Sequence, residues 1–152
     1  MTASTRKDPL VAAYFSVQFD NKVVGAFREC TGLGSESQVV EYRATDDKGR
    51  AVLIREPGTM KYNDIVLKRG ITNDMDMWGW RQQVEEGKMD EARRSGTITL
   101  HNQKGEPVAA WTFERAWPSK LNGPTYDAKS NEVAIEELTI THEGYKRVPV
   151  GG

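Results

Sequence analysis

The sequence predicts a mainly β domain, a small antiparallel barrel or sandwich, with one flanking helix at about 74–86 and an extended hairpin at about 36–56. Three observations predict it. Apolar residues recur at a period of two along most of the chain, as half-buried strands require. Turn-forming clusters such as Asp46-Asp47-Lys48-Gly49 and Gln103-Lys104-Gly105-Glu106-Pro107 separate these stretches. One stretch, Asp74–Glu86, carries helical apolar spacing with end signals on both sides.

In the first strand Phe15, Val17 and Phe19 alternate with Tyr14, Ser16 and Gln18. Asp20-Asn21 suits a tight turn, because both residues tolerate positive φ, and Lys22–Cys30 returns. Thr31-Gly32-Leu33-Gly34-Ser35 is a loop. From there Glu36, Gln38, Val40 and Tyr42 share one face, and Ser37, Val39, Glu41 and Arg43 the other. Asp46–Gly49 turns the chain, and Ala51–Glu56, with Leu53 and Arg55, comes back. Polar groups stand on both faces, so this hairpin gains little by folding onto its own domain. Pro57-Gly58 punctuates, and Lys61–Lys68 is a further strand closed by Arg69-Gly70.

The helix has Thr72 or Asn73 as cap, Asp74 and Asp76 in its positive first turn, and Gly87 to end it. Met77, Trp80 and Val84 form its apolar stripe. Gly79 costs about 1 kcal/mol against alanine in mid-helix, which suggests close packing there. Thr97–Asn102 and Val108–Ala116 form a hairpin, with Trp111 and Phe113 on one face. Trp117-Pro118 stops that strand, and Ser119–Asn131 is a long connection. Glu132–His142 is the last strand. Its apolar phase slips at Glu136-Glu137, where a β-bulge would restore one buried face.

With 152 residues, 38% hydrophobic and a formal charge of −1, the chain is expected to be one soluble domain over 1–152, with flexible ends at about 1–8 and 148–152. A chain of this length buries about 70% of its unfolded surface, enough for one core. No apolar run approaches the ~18 residues of a membrane span. The start, Met1 to Pro9, has no apolar stretch behind its basic pair, so no secretory signal is expected. Cys30 stands alone and excludes an internal disulfide or a thiolate metal cage. Twenty-one basic against twenty-two acidic residues leave no excess for a phosphate backbone. Arg93-Arg94 and Lys146-Arg147 are isolated pairs.

Candidate chemistry is sparse. His101 and His142 sit at strand ends without a second ligand at metal spacing, and read as surface or strand-end residues. Gly32-x-Gly34 lacks the third glycine and the following helix of a phosphate loop. Glu136 and Glu137 are adjacent and project oppositely unless bulged, a poor acid–base pair. Trp78, Trp80, Trp111 and Trp117 cluster around the helix and the strand beyond it, where core or interface packing accounts for them. No catalytic residue, cofactor or metal site is expected.

Several motifs then occur in one order. Asp8-Pro9-Leu10 leads into Tyr14-Phe15-x-Val17 and Thr31-Gly32-Leu33. Pro57-Gly58-Thr59-Met60-Lys61-Tyr62 precedes Ile65-Val66-Leu67-Lys68-Arg69-Gly70-Ile71, then Trp78-x-Trp80 and Gly87-Lys88. Gly105-x-Pro107-Val108, Trp111-x-Phe113, Ala116-Trp117-Pro118-x-Lys120, Glu132-Val133-Ala134-Ile135-Glu136-x-Leu138 and His142-Glu143-Gly144 follow. From about Asp8 to Arg147 the chain resembles the phage tail tube protein family of contractile-tailed phages and phage-tail-like injection systems. That family shares its fold with the haemolysin-coregulated protein of type VI secretion.

The resemblance implies a non-enzymatic subunit that forms hexameric rings with itself, stacked head-to-tail into a hollow tube. Its further partners would be a contractile sheath protein, baseplate or spike and tube-capping proteins, and cargo in the lumen. Assembly would take place in the cytoplasm. The resemblance also implies that Glu36–Arg43, with Leu53 and Arg55, lines the lumen, one parity facing the bore and the other protein. Asp46, Asp47, Lys48 and Gly49 would reach the next ring, and Lys61–Lys68 is a further lumen candidate. Trp78, Trp80, Trp111, Trp117 and Pro118 would pack the family core. Two other readings stand beside it: a monomeric β-sandwich binding module, and an enzyme using Cys30, His101 or His142.

Overall fold

The computed structural model describes residues 13–19, 22–72, 74–124 and 134–150. Among these the order is β1 (Tyr14–Phe19), β2 (Lys22–Phe27), β3 (Glu29–Thr31), β4 (Ser35–Thr45), β5 (Ala51–Tyr62) and β6 (Ile65–Gly70). Helices α1 (Asp76–Glu85) and α2 (Met89–Ala92) follow, then β7 (Arg94–His101), β8 (Pro107–Asn122), β9 (Ile135–Thr141) and β10 (Gly144–Val148).

The main sheet runs β2-β1-β7-β8-β9-β6-β3, with β10 on β8, and every pairing is antiparallel. β8 turns its corner. Through Ala116 it pairs with β7 and, over Ala110–Glu114, with β10; from Trp117 onward it pairs with β9. At the corner Arg115 adopts φ 48, the left-handed region, and the β7 register shifts between Arg94 and Gly96. Such a bulge bends a strand and raises its twist. The sheet thus folds into a sandwich and does not close as a barrel. Val17, Phe19, Ile98 and Phe113 from one layer meet Ile65, Leu67, Leu138 and Ile140 from the other. Met77 and Trp80 of α1 add to this core.

Several elements depart from expectation, each for a local reason. β5 runs through Pro57-Gly58, with a register shift opposite Ser37–Val39, because a bulge in an otherwise unpartnered ribbon tolerates a residue without an N–H. The break falls at Asn63-Asp64, so Lys61–Lys68 is not one strand. β8 likewise continues through Pro118, which lies opposite Ile140 beside another register shift. Only β9 pairs with that half of β8, so the missing donor is no loss. Ser119–Asn122 are therefore strand, Gly123 and Pro124 follow it, and 125–131 of the expected connection lie outside the described residues.

The helix begins at Asp76, with Met75 before it and no side-chain cap. Thr72 Oγ1 instead accepts from the Asp74 N–H (3.2 Å), and Asp74 Oδ1 from the Asp76 N–H (2.9 Å). Asn73 and the turn Asp20-Asn21 lie outside the described residues. A Cβ added at Gly79 would meet nothing within 4 Å, so close packing does not explain this glycine. Gly87, at φ +78, ends the helix as expected. The short α2 and β10 are not legible in the sequence, being too brief for a period to show.

Candidate functional site: the hairpin arm

β4 and β5 form a two-stranded sheet that pairs with no other strand among the described residues. At ~3.3 Å per residue, eleven residues of β4 span about 35 Å. An isolated two-stranded ribbon is marginal in water. This one also exposes Val39 (58%), Val40 (48%), Tyr42 (44%) and Leu53 (59%). Both outer edges leave N–H and C=O groups without ladder partners, a template for another chain.

The register shows what each strand alone conceals. Val40 lies opposite Glu56, Tyr42 opposite Ile54 and Ala44 opposite Val52. Paired residues share a face, so the distal half of one face is apolar, with the Tyr42 hydroxyl donating to Glu56 Oε1 (3.1 Å). The opposite face sets Glu41 against Arg55, Arg43 against Leu53 and Thr45 against Ala51. Arg55 Nε lies 3.0 Å from Glu41 Oε1. Nearer the root Glu36 lies opposite Lys61, with Gln38 on the same face. Ser37 lies opposite Met60, and Val39 opposite Pro57.

The tip is built to hold its own shape. Asp46 Oδ1 accepts from the N–H groups of Lys48 (2.9 Å) and Arg50 (2.8 Å), and Arg50 pairs with Asp46 Oδ2 at 3.3 Å. The Gly49 N–H closes the turn on the Asp46 carbonyl (3.0 Å), leaving Asp47 and Lys48 exposed. The root is anchored differently. Tyr62 packs edge-on against Tyr145 of β10 (5.6 Å) and beside His142 (5.7 Å), whose Nε2–H donates to the Asn63 carbonyl (3.0 Å). His142 directly follows β9, a strand-end residue as expected, but it is buried, and its Nδ1 has no hydrogen-bond partner among the described residues. Gly32, at φ +88, lies where an added Cβ would fall 1.9 Å from the Asp64 carbonyl oxygen. The Gly32-x-Gly34 pair serves this backbone crossing.

Beneath α1 lies a feature that the sequence pattern does not reveal. Glu136 does not sit in a bulge: β9 pairs with β6 in unbroken register, and Glu136, Leu138 and Ile140 share the buried face. Its carboxylate meets Arg69 Nε at 3.2 Å and accepts from Trp78 Nε1–H at 2.9 Å. Arg69 also donates to the Asp74 carbonyl (3.3 Å) and lies over the Phe27 ring (5.5 Å). Gly25 makes room for it, since a Cβ there would stand 2.6 Å from Arg69 Nη1. Buried charges persist only when paired and hydrogen-bonded on several sides, as these are. The parity of Glu136 with Leu138 and Ile140 is the signal that could have found it.

The other tryptophans lie on α1 and β8. Trp80 Nε1–H donates to the Ala92 carbonyl (2.6 Å), and its ring meets Phe19 edge-on (4.6 Å). Trp111 lies under Arg147 (5.8 Å), Trp117 is half-buried opposite Thr141, and Pro118 is buried. A cleft of about 500 Å³ opens beside α1, lined by Phe19, Val24, Met75, Gly79, Trp80 and Arg94 among others. It brings together no nucleophile and base. Cys30 is half-buried in β3, and burial pushes its thiol up to about 12, the wrong direction for a nucleophile. The His101 Nδ1–H donates to the Gly105 carbonyl (3.2 Å), Nε2 accepts from Ser16 Oγ (2.8 Å), and the ring stacks on Tyr14. No group of three or more potential metal ligands occurs among the described residues, and no helix there is long and apolar enough to cross a membrane.

The family model described as T4-like virus tail tube protein gp19 matches residues 11–146. The chain belongs to this tail tube family. No curated protein gives a significant sequence match. Among solved structures, the extended sheath-tube complex of the PVC extracellular contractile injection system contains a similar chain at 24% identity and TM-score 0.76, covering 98% of this chain and all of that one. The anti-feeding prophage tube-terminating cap gives 23%, 0.72, 97% and 95%, and Hcp1 from Flavobacterium johnsoniae 15%, 0.51, 88% and 94%. The tail tube family is one of structural proteins, not enzymes. In a tail tube protein the arm, and no pocket, is the feature to explain.

Proposed function

We propose that this tail tube protein is the inner-tube subunit of a contractile injection system, forming hexameric rings that stack head-to-tail into a hollow conduit. Its partners in that role are further copies of itself, a contractile sheath, baseplate or spike and capping proteins, and the cargo in the bore. The observation that carries the proposal is the arm: two long strands with free edges and exposed apolar side chains, attached to a body whose buried core includes no residue of either strand. Side-by-side arms in a ring would pair edge to edge and line the bore, removing the free edges. The ring contact closes, whereas the stacking contact propagates. The tip residues Asp46, Asp47, Lys48 and Gly49 would meet the next ring.

An injection particle is preferred to a virion on the likeness in fold to the PVC and anti-feeding prophage chains. The near-neutral composition also shows no basic excess for DNA. Negative-stain microscopy of the purified protein tests the proposal. Annular particles or stacked tubes are the expected result; a monodisperse monomer with no rings at any concentration would favour a β-sandwich binding module.

A further inference from the structure

We infer that the bore of the assembled tube carries a ring of guanidinium groups, one Arg43 from each subunit, and that this ring favours cargo proteins with acidic surfaces. The inference rests on the tube reading and deepens it by assigning the two faces of the arm. A water-filled bore takes the polar face of an amphipathic ribbon, and neighbouring protein takes the apolar one. In the distal half, Val40, Tyr42, Ala44, Val52 and Ile54 share one face. Their face, which also holds Glu56, meets protein, and this turns Glu41, Arg43, Thr45 and Arg55, with Ala51 and Leu53 between them, toward the bore.

On that bore face the charges do not cancel. Glu41 and Arg55 lie directly opposite and neutralise each other at 3.0 Å. Arg43 faces Leu53 and has no carboxylate partner among the described residues. Each subunit therefore contributes one uncompensated cation from the distal arm, and ring symmetry repeats it around the bore. This density is far too low for a nucleic acid duplex, with a charge roughly every 1.7 Å. It suits weak, repeated contact with the scattered carboxylates of a protein surface, strong enough to retain and weak enough to release.

The test uses assembled tubes and three fluorescent probes: polyglutamate, polylysine and a single-stranded oligonucleotide of equal length. Wild-type tubes are expected to retain polyglutamate about tenfold better than polylysine at low salt, with the preference fading as salt rises. R43Q is expected to abolish the preference and R43E to invert it, both with rings intact. R93E, at an exposed position beyond α2, is expected to change nothing. Equal retention of both peptides by intact wild-type tubes overturns the inference and leaves the tube reading standing. So does an R43Q variant that keeps the preference, or one that folds but forms no rings, since Arg43 would then be an interface residue. Stronger retention of the oligonucleotide than of polyglutamate overturns the choice of protein cargo. Absence of rings from the wild-type protein is the separate failure that removes the tube reading itself.

Discussion

The body and the arm solve opposite problems with the same kind of strand. In the body, alternation places Ile65 and Leu67, or Leu138 and Ile140, wholly out of water, and even the charges of Arg69 and Glu136 are enclosed and paired. In the arm, longer strands expose Val39, Val40 and Leu53 to solvent and bury nothing of comparable size. On the proposed tube reading, the body's stability is internal to the chain and the arm's apolar surface serves a neighbouring copy. A residue's cost on mutation should therefore divide by region: folding in one, assembly in the other.

The sharpest break should come at the buried pair. Glu136→Ala leaves the enclosed Arg69 guanidinium with only the part-exposed Asp74 carboxylate, at 3.8 Å, and should cost about 3 kcal/mol in chemical denaturation of the dissociated protomer. Glu136→Gln, which keeps an acceptor for Trp78, should cost less. If E136A left the denaturation midpoint unchanged, the body's charge network would not be structural. Trp80→Ala, which removes a core ring and its bond to Ala92, should cost a similar amount by the same measurement.

A smaller effect belongs to Cys30. Its folded pKa is raised to about 12 from an ordinary 9.0. Below pH ~9 the folded and unfolded chains both hold the proton, so the thiol adds no pH dependence there. Above that the unfolded chain releases it first, and stability falls with rising pH until about 12. At pH 10 the wild type should lose about 1 kcal/mol more than Cys30→Ala, each relative to its own value at pH 7. Parallel pH profiles for the two proteins would remove that contribution.

Much of the body is legible in the sequence, because a half-buried strand writes its burial into a period of two. The last strand shows where that fails. Ile135 and Leu138 differ in parity, which suggests a slip, yet the buried face includes Glu136, and a paired charge in a core is invisible to a hydrophobicity pattern. Pro57 and Pro118 look like stops, but each sits at a bulge where no donor is missed. The arm is legible as a hairpin with no home in its own domain. Its amphipathicity is not, because Val52 and Ile54 join Val40 and Tyr42 only once the register is known.

The smallest expected effect on folding is also the most direct test of the division. The double variant Val40→Asp, Val52→Asp places two charges on the distal apolar face of the arm. Its protomer should denature within about 0.5 kcal/mol of the wild type, as surface substitutions do. Negative-stain images of the same preparation should show single particles, where the wild type is expected to give rings. Rings of normal size from this folded variant, or a protomer that unfolds because of it, would contradict the claim that the body carries the fold and the arm the assembly.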